Sequence, residues 1–166
     1  MTTATQLVVD IDVHTGPPLS SSAEQENPLD NELHDVNADG IQWYLGPVVS
    51  ASSEQSWGTA GLVVPVIGRA TGITTRQTCL IADVVPNAEV RLTTRGWAMR
   101  LAWNRSDLPD AGRSALRFEL VVNERPPERE RRRGQLALSG GGGYGYLAGS
   151  RRPASRAVQL VLSDAP

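Results

Sequence analysis

The stretch Asp35-Val-Asn37-Ala-Asp39-Gly40 comes nearest to a metal site in this chain. Carboxylate and amide oxygens at alternate positions suit a hard cation, and D-x-N-x-D-G opens a calcium loop. The match ends there. The twelfth position is Gly46, where the loop needs a bidentate glutamate, and a strand pattern follows instead of a helix. Asp, Asn and Gly are also ordinary turn residues. A turn is therefore the default reading, and calcium held by Asp35, Asn37 and Asp39 is the alternative. No other cofactor is expected.

Acid–base and nucleophilic chemistry find little support. His14 and His34 flank predicted loops. Beside Asp12 or Asp35 either could hold a metal or exchange a proton. There is no H-x-x-x-H and no serine in a G-x-S-x-G setting, so exposed loop histidines and no catalytic residue are expected. Ser139 to Tyr144 encloses four glycines but lacks the G-K-[ST] of a phosphate loop, and reads as a flexible connection. Arg129 and Arg131 to Arg133 interleave with Glu124, Glu128 and Glu130. A solvated loop explains that run; an acidic ligand or a partner protein is the functional alternative.

The aromatic residues are more informative. Trp57 sits in a Ser/Gly-rich segment, Ser50 to Thr59, without apolar neighbours. Such a tryptophan is either a stacking platform for a ring or a plug over the edge of a core. Trp43 alternates with Ile41 and Leu45, and Trp97 and Trp103 alternate with Met99 and Leu101, so these three belong to a core. Gln42 and Tyr44 lie on the other face of their strand. Tyr144 and Tyr146 share a face, with strand-edge packing as the default and a mobile aromatic rim as the alternative.

These residues need a scaffold, and period-2 patterning supplies one. Leu7, Val9, Ile11 and Val13 alternate with Asp10 and Asp12 within Gln6–His14. Further strands are predicted at Gly40–Leu45, Gly61–Ile67, Thr74–Val85, Ala88–Arg95, Trp97–Trp103, Leu116–Val122, Gln135–Ser139, Tyr144–Ala148 and Val158–Ser163. Pro65 marks an edge or a bulge in the third. Thr15 to Asn37 is polar and aperiodic, a long loop. Ser106 to Ala111 holds at most a turn of helix. Nine or ten short strands with one polar face on several of them predict an all-β, jelly-roll-like antiparallel sandwich. At 166 residues the chain fits a single domain, residues 1–166, with a core that needs no disulfide.

Charge and composition narrow the partners. Net charge is −2, split between −7 over residues 1–80 and +5 over residues 81–166. All basic residues are arginine, which fits a GC-rich coding sequence. A chain this close to neutral is not expected to bind nucleic acid. The lone Cys79 excludes an internal disulfide. No apolar run approaches a bilayer span, so membrane insertion is not expected. The N-terminus lacks a basic region followed by an apolar stretch and does not read as a secretory signal. That leaves a cytoplasmic protein or a segment of a longer one.

The order of motifs resembles the family-nine carbohydrate-binding modules and the wider group of DOMON-like sandwiches. The residues that carry the resemblance are L-V-V-D-I-D-V-H at Leu7–His14, N-A-D-G-I-Q-W-Y-L at Asn37–Leu45 and G-W-A-M-R-L-A-W-N-R-S-D-L at Gly96–Leu108. L-R-F-E-L-V-V-N-E-R at Leu116–Arg125 and R-R-G-Q-L-A-L-S-G-G at Arg132–Gly141 complete the set. The resemblance spans about residues 6–163. Two features depart from the family: no strand precedes Gln6, and Ala102 replaces the proline of the family's "iPw" turn. The missing start predicts a truncated gene or the C-terminal part of a larger protein.

The resemblance implies a non-catalytic sugar-binding domain. Trp57 and Tyr44 would stack on the apolar face of a pyranose, and Gln42, Asn123 and Arg125 would bond its hydroxyls. Asn123 and Arg125 follow a strand to its end, where loops collect. The rival reading is a structural or docking domain packed on a neighbouring enzyme domain. A haem or small-molecule sensor is a third; an axial Met99 is disfavoured because it shares the core face.

Overall fold

The computed structural model describes residues 5–19, 37–48, 57–68, 72–81, 84–108, 115–128, 134–140 and 157–162. Nine strands run through them: β1 Gln6–Val13, β2 Gly40–Pro47, β3 Thr59–Gly68, β4 Gly72–Ile81, β5 Asn87–Leu92, β6 Trp97–Asn104, β7 Ala115–Glu124, β8 Gly134–Ala137 and β9 Val158–Val161. A 3-10 turn at Arg105–Asp107 stands in the segment predicted to hold a turn of helix. The strand expected at Tyr144–Ala148 lies outside the described residues.

The strands form two antiparallel sheets. The smaller runs β1-β6-β5, and the larger β4-β3-β2-β7-β8, with β9 also paired to β7. Strand β7 divides its free edge between two short partners. Val121 to Glu124 pair with β8, and Ala115 to Phe118 pair with β9.

The inward positions of both sheets are the apolar members of each alternation. Leu7, Val13, Ile41, Trp43, Leu45, Val63, Trp97, Met99, Leu101, Trp103, Leu116, Phe118 and Leu120 form one buried cluster. Three rings occupy its centre. Trp103 meets Trp43 edge-to-face at 5.3 Å and Phe118 at 6.4 Å, the geometry that ring quadrupoles favour. Trp43 lies so close over β3 that a Cβ on Gly61 would sit 2.5 Å from its Cζ2. That close approach makes glycine the residue that fits, and the ladder carries a register shift at Ala60/Gly61.

Pro65 stands elsewhere than at this bulge. It pairs with Thr75 of β4, while the β2 ladder reaches only Val63. At Pro65 the strand overhangs β2 and has a local edge, where a missing N–H costs no ladder bond. Strand β4 stops at Ile81, short of the predicted Val85, because its partner β3 ends near the Ala60–Ile81 pair. The Thr59 hydroxyl then donates to the Ile81 carbonyl at 2.9 Å.

The two outward faces differ. On the smaller sheet Asp10, Asp12, Glu89, Arg91 and Arg100 are exposed, as a solvated polar face requires. On the larger sheet the polar positions at the centre, on β2 and β7, are buried: Gln42, Arg117, Glu119 and Asn123, while Arg76 on β4 and Gln159 on β9 stay exposed.

Candidate functional site

Alternation along β2 and β7 decides which side chains meet. With Trp43 and Leu120 turned inward, Gln42, Tyr44, Arg117, Glu119, Val121 and Asn123 turn to the outer face of the larger sheet. In the ladder Gln42 stands opposite Val121, and Tyr44 opposite Glu119. Asn123 is therefore the diagonal neighbour of Gln42, within reach of two amide side chains. The Gln42 Nε2 group donates to Asn123 Oδ1 at 3.0 Å. Gln135 Nε2, from β8, donates to the same oxygen at 2.8 Å. The Tyr44 hydroxyl donates to Gln42 Oε1 at 2.8 Å. These hydrogen bonds fix the orientation of all three amides.

Trp57 completes the cluster. Its ring centroid lies 5.3 Å from that of Tyr44, at a tilt of 45°. It shares a buried apolar group with Tyr44, Ala60, Val121 and Ala137. The next residue is tied to β2, since the Gly58 N–H donates to the Leu45 carbonyl at 2.9 Å. Trp57 is 3% exposed. An open stacking platform is therefore not what the structure shows, and the plug describes its place. Gln42, Tyr44 and Asn123 were likewise expected at an accessible surface, and none exceeds 1% exposure. All four tryptophans are buried.

Arg117 and Glu119 were missed from the sequence as site residues. The Arg117 Nε–H donates to the Pro47 carbonyl at 2.7 Å, and burial lowers its guanidinium below the ordinary value. Glu119 Oε1 accepts the Leu120 and Ser139 backbone N–H groups at 3.1 and 3.2 Å. The available signal was the R-F-E-L-V-V-N alternation, which places Arg117, Glu119 and Asn123 on one face. Pattern alone assigns such a face to solvent.

Arg125 is half-buried, two residues beyond Asn123, and its backbone N–H donates to Asp39 Oδ1 at 2.8 Å. Asp39 Oδ2 accepts the Leu19 N–H at 2.8 Å. Both carboxylate oxygens of Asp39 thus brace the chain on either side of β2. Burial raises the Asp39 carboxyl above the ordinary range, opposed by these two N–H donors. Asn37 lies in the preceding turn, and Asp35 is outside the described residues. Among the described residues no three His, Cys, Asp or Glu side chains form a metal-sized group. His14 is exposed and Met99 is in the core. His34, Tyr144, Tyr146, Arg129 and Arg131 to Arg133 lie outside the described residues.

No protein-family model and no curated protein matches the chain. Solved structures do. A family-nine carbohydrate-binding module from Caldicellulosiruptor kristjanssonii in complex with glucose superposes with a TM-score of 0.63 at 14% identity, over 98% of this chain and 73% of that one. A family-nine module from the same organism in complex with cellotriose gives a TM-score of 0.62 at 16% identity, over 98% of this chain and 72% of that one. The fold is that of a family-nine carbohydrate-binding module. The likeness holds over nearly the whole of this chain at an identity too low to carry side-chain roles with it. Among the described residues no helix is long and apolar enough to cross a membrane.

Proposed function

We propose that this chain is a non-catalytic carbohydrate-binding module whose sugar is held at the outer face of the larger sheet. The observation that carries the reading is the buried polar row itself. An outer sandwich face needs only solvent-tolerant side chains, yet this one encloses two carboxamides, a carboxylate, a guanidinium and a tyrosine. Buried polar groups cost stability unless bonded, and together these five supply both donors and acceptors. A sugar hydroxyl is itself donor and acceptor, so convergent amides, Glu119 and Arg117 match its chemistry. The fold is shared with modules described in complex with glucose and cellotriose. Trp57 and Tyr44, packed as a plug beside the row, would offer ring surface to a pyranose C–H face only once the row opens.

The row is closed, with Arg117 the most exposed of its members at 8%. A sugar exchanges the present contacts for its own, and the Trp57 indole reports the exchange. Titration of the chain with glucose, cellotriose and acidic oligosaccharides, followed by tryptophan fluorescence and calorimetry, tests this. Saturable heat that disappears in Glu119→Gln and Gln42→Ala, with both variants folded, is the expected result. No response to any neutral or acidic glycan overturns it.

A second reading is docking onto a neighbouring enzyme domain. Leu136 and Leu138, on and just past β8, and Val161 on β9 are 74%, 53% and 74% exposed along the edge shared with β7. Stable capture of an adjoining domain, abolished by Leu136→Ser, would favour it.

A further inference from the structure

The outer face of the smaller sheet holds a concavity of about 450 Å³, within the range of small-ligand pockets. The register builds it. Asp10, Arg100 and Glu89 form one cross-strand row, and Asp12, Ala98 and Arg91 the next. Strand spacing sets neighbouring side chains about 4.8 Å apart. Arg100 is fixed by a two-pronged bond to Asp10, Nε to Oδ1 at 2.7 Å and Nη2 to Oδ2 at 3.0 Å. Among the described residues no hydrogen bond or ion pair occupies the side chains of Asp12, Glu89 or Arg91. Ala98 between them, 7% exposed, is the short floor of the groove beneath the Asp12 and Arg91 side chains.

The lining selects its occupant by charge. Three carboxylates against two guanidiniums disfavour an anion, nucleic acid included. A protein interface has an apolar centre depleted of charge, and five of the nine lining residues here are charged. No metal-sized acid cluster forms among the described residues. A neutral polyhydroxylated molecule remains. Its hydroxyls donate to Asp12 and Glu89 and accept from Arg91, and it brings no charge to desolvate.

We propose that this groove is a second ligand site, one that takes a neutral oligosaccharide by hydrogen bonding alone, without ring stacking. It stands on its own lining and is independent of the row on the larger sheet. Amide-resolved NMR on the full chain reads the two faces separately. Cellotriose, xylotriose and maltotriose are the probes, and an arginine-rich peptide is the competing occupant. The expected result is saturable shifts at residues 10–12, 89–91 and 98–100 with at least one sugar. In the Asp12→Asn, Glu89→Gln double variant, affinity at those amides falls by about tenfold or more, because bonds to charged groups are removed. These exposed substitutions leave the unfolding midpoint in place. Sugar shifts confined to residues 42–44 and 119–123 overturn this inference and leave the proposed function standing. Shifts confined to the groove do the reverse. Groove shifts that survive the double variant, or that only the peptide produces, also overturn it.

Discussion

Replacing Trp57 by alanine separates a free platform from a structural plug. Burial of an indole removes about 150–250 Å² from water, which at about 25 cal/mol/Å² corresponds to roughly 4–6 kcal/mol. Alanine keeps a small part of that, and the surroundings collapse only in part. Gly46, which lies beside the Trp57 ring, has no side chain to move into the vacated space. The Gly58–Leu45 bond holds the chain beside it. The ring contact with Tyr44 adds about 0.5–1.5 kcal/mol. The expected loss for Trp57→Ala is about 3–5 kcal/mol, in line with buried aromatic truncations. For a chain of this size each kcal/mol moves Tm by about 2–4 °C, so the midpoint falls by at least about 6 °C. Urea unfolding with the slope m held against wild type is the assay. A loss below about 1 kcal/mol would refute the packing read from the structure and return Trp57 to the solvent.

Asn123→Ala leaves the enclosed Gln42 amide without its acceptor, while the half-buried Gln135 can turn toward water; a loss of about 2–3 kcal/mol is expected in the same assay, and a change within about 0.5 kcal/mol contradicts the network. The Arg100 hydrogen bond and charge hold the Asp10 carboxyl below its ordinary value. The stability this adds is present above the ordinary carboxylate range and is lost as pH falls through the lowered folded value. In Arg100→Gln the Asp10 titration moves upward by NMR, and salt weakens the wild-type shift because the pair is exposed; an unmoved midpoint refutes the pairing.

Period-2 alternation was enough to locate the strands and their inward faces. Leu7 to Val13, Trp97 to Trp103 and Leu116 to Leu120 are core-facing as their spacing requires, because the pleat sends alternate side chains to opposite sides. It also grouped Gln42 with Tyr44, and Arg117 with Glu119 as a face turned to solvent, but it left Asn123 beyond the strand end. The same pattern could not say which outer face would be enclosed. Both sheets show a polar face in sequence, yet Asp10 and Arg100 are open while Gln42 and Asn123 are shut. Enclosure depends on what packs across a face from distant parts of the chain, and local period carries no record of it. Nor could spacing within one strand show that Gln42, Gln135 and Asn123 share an oxygen. The register of β2 and β8 on β7 created that meeting. Composition likewise left Trp57 open between platform and plug, since one indole in a polar segment fits both; its burial against Tyr44 of β2 decided it.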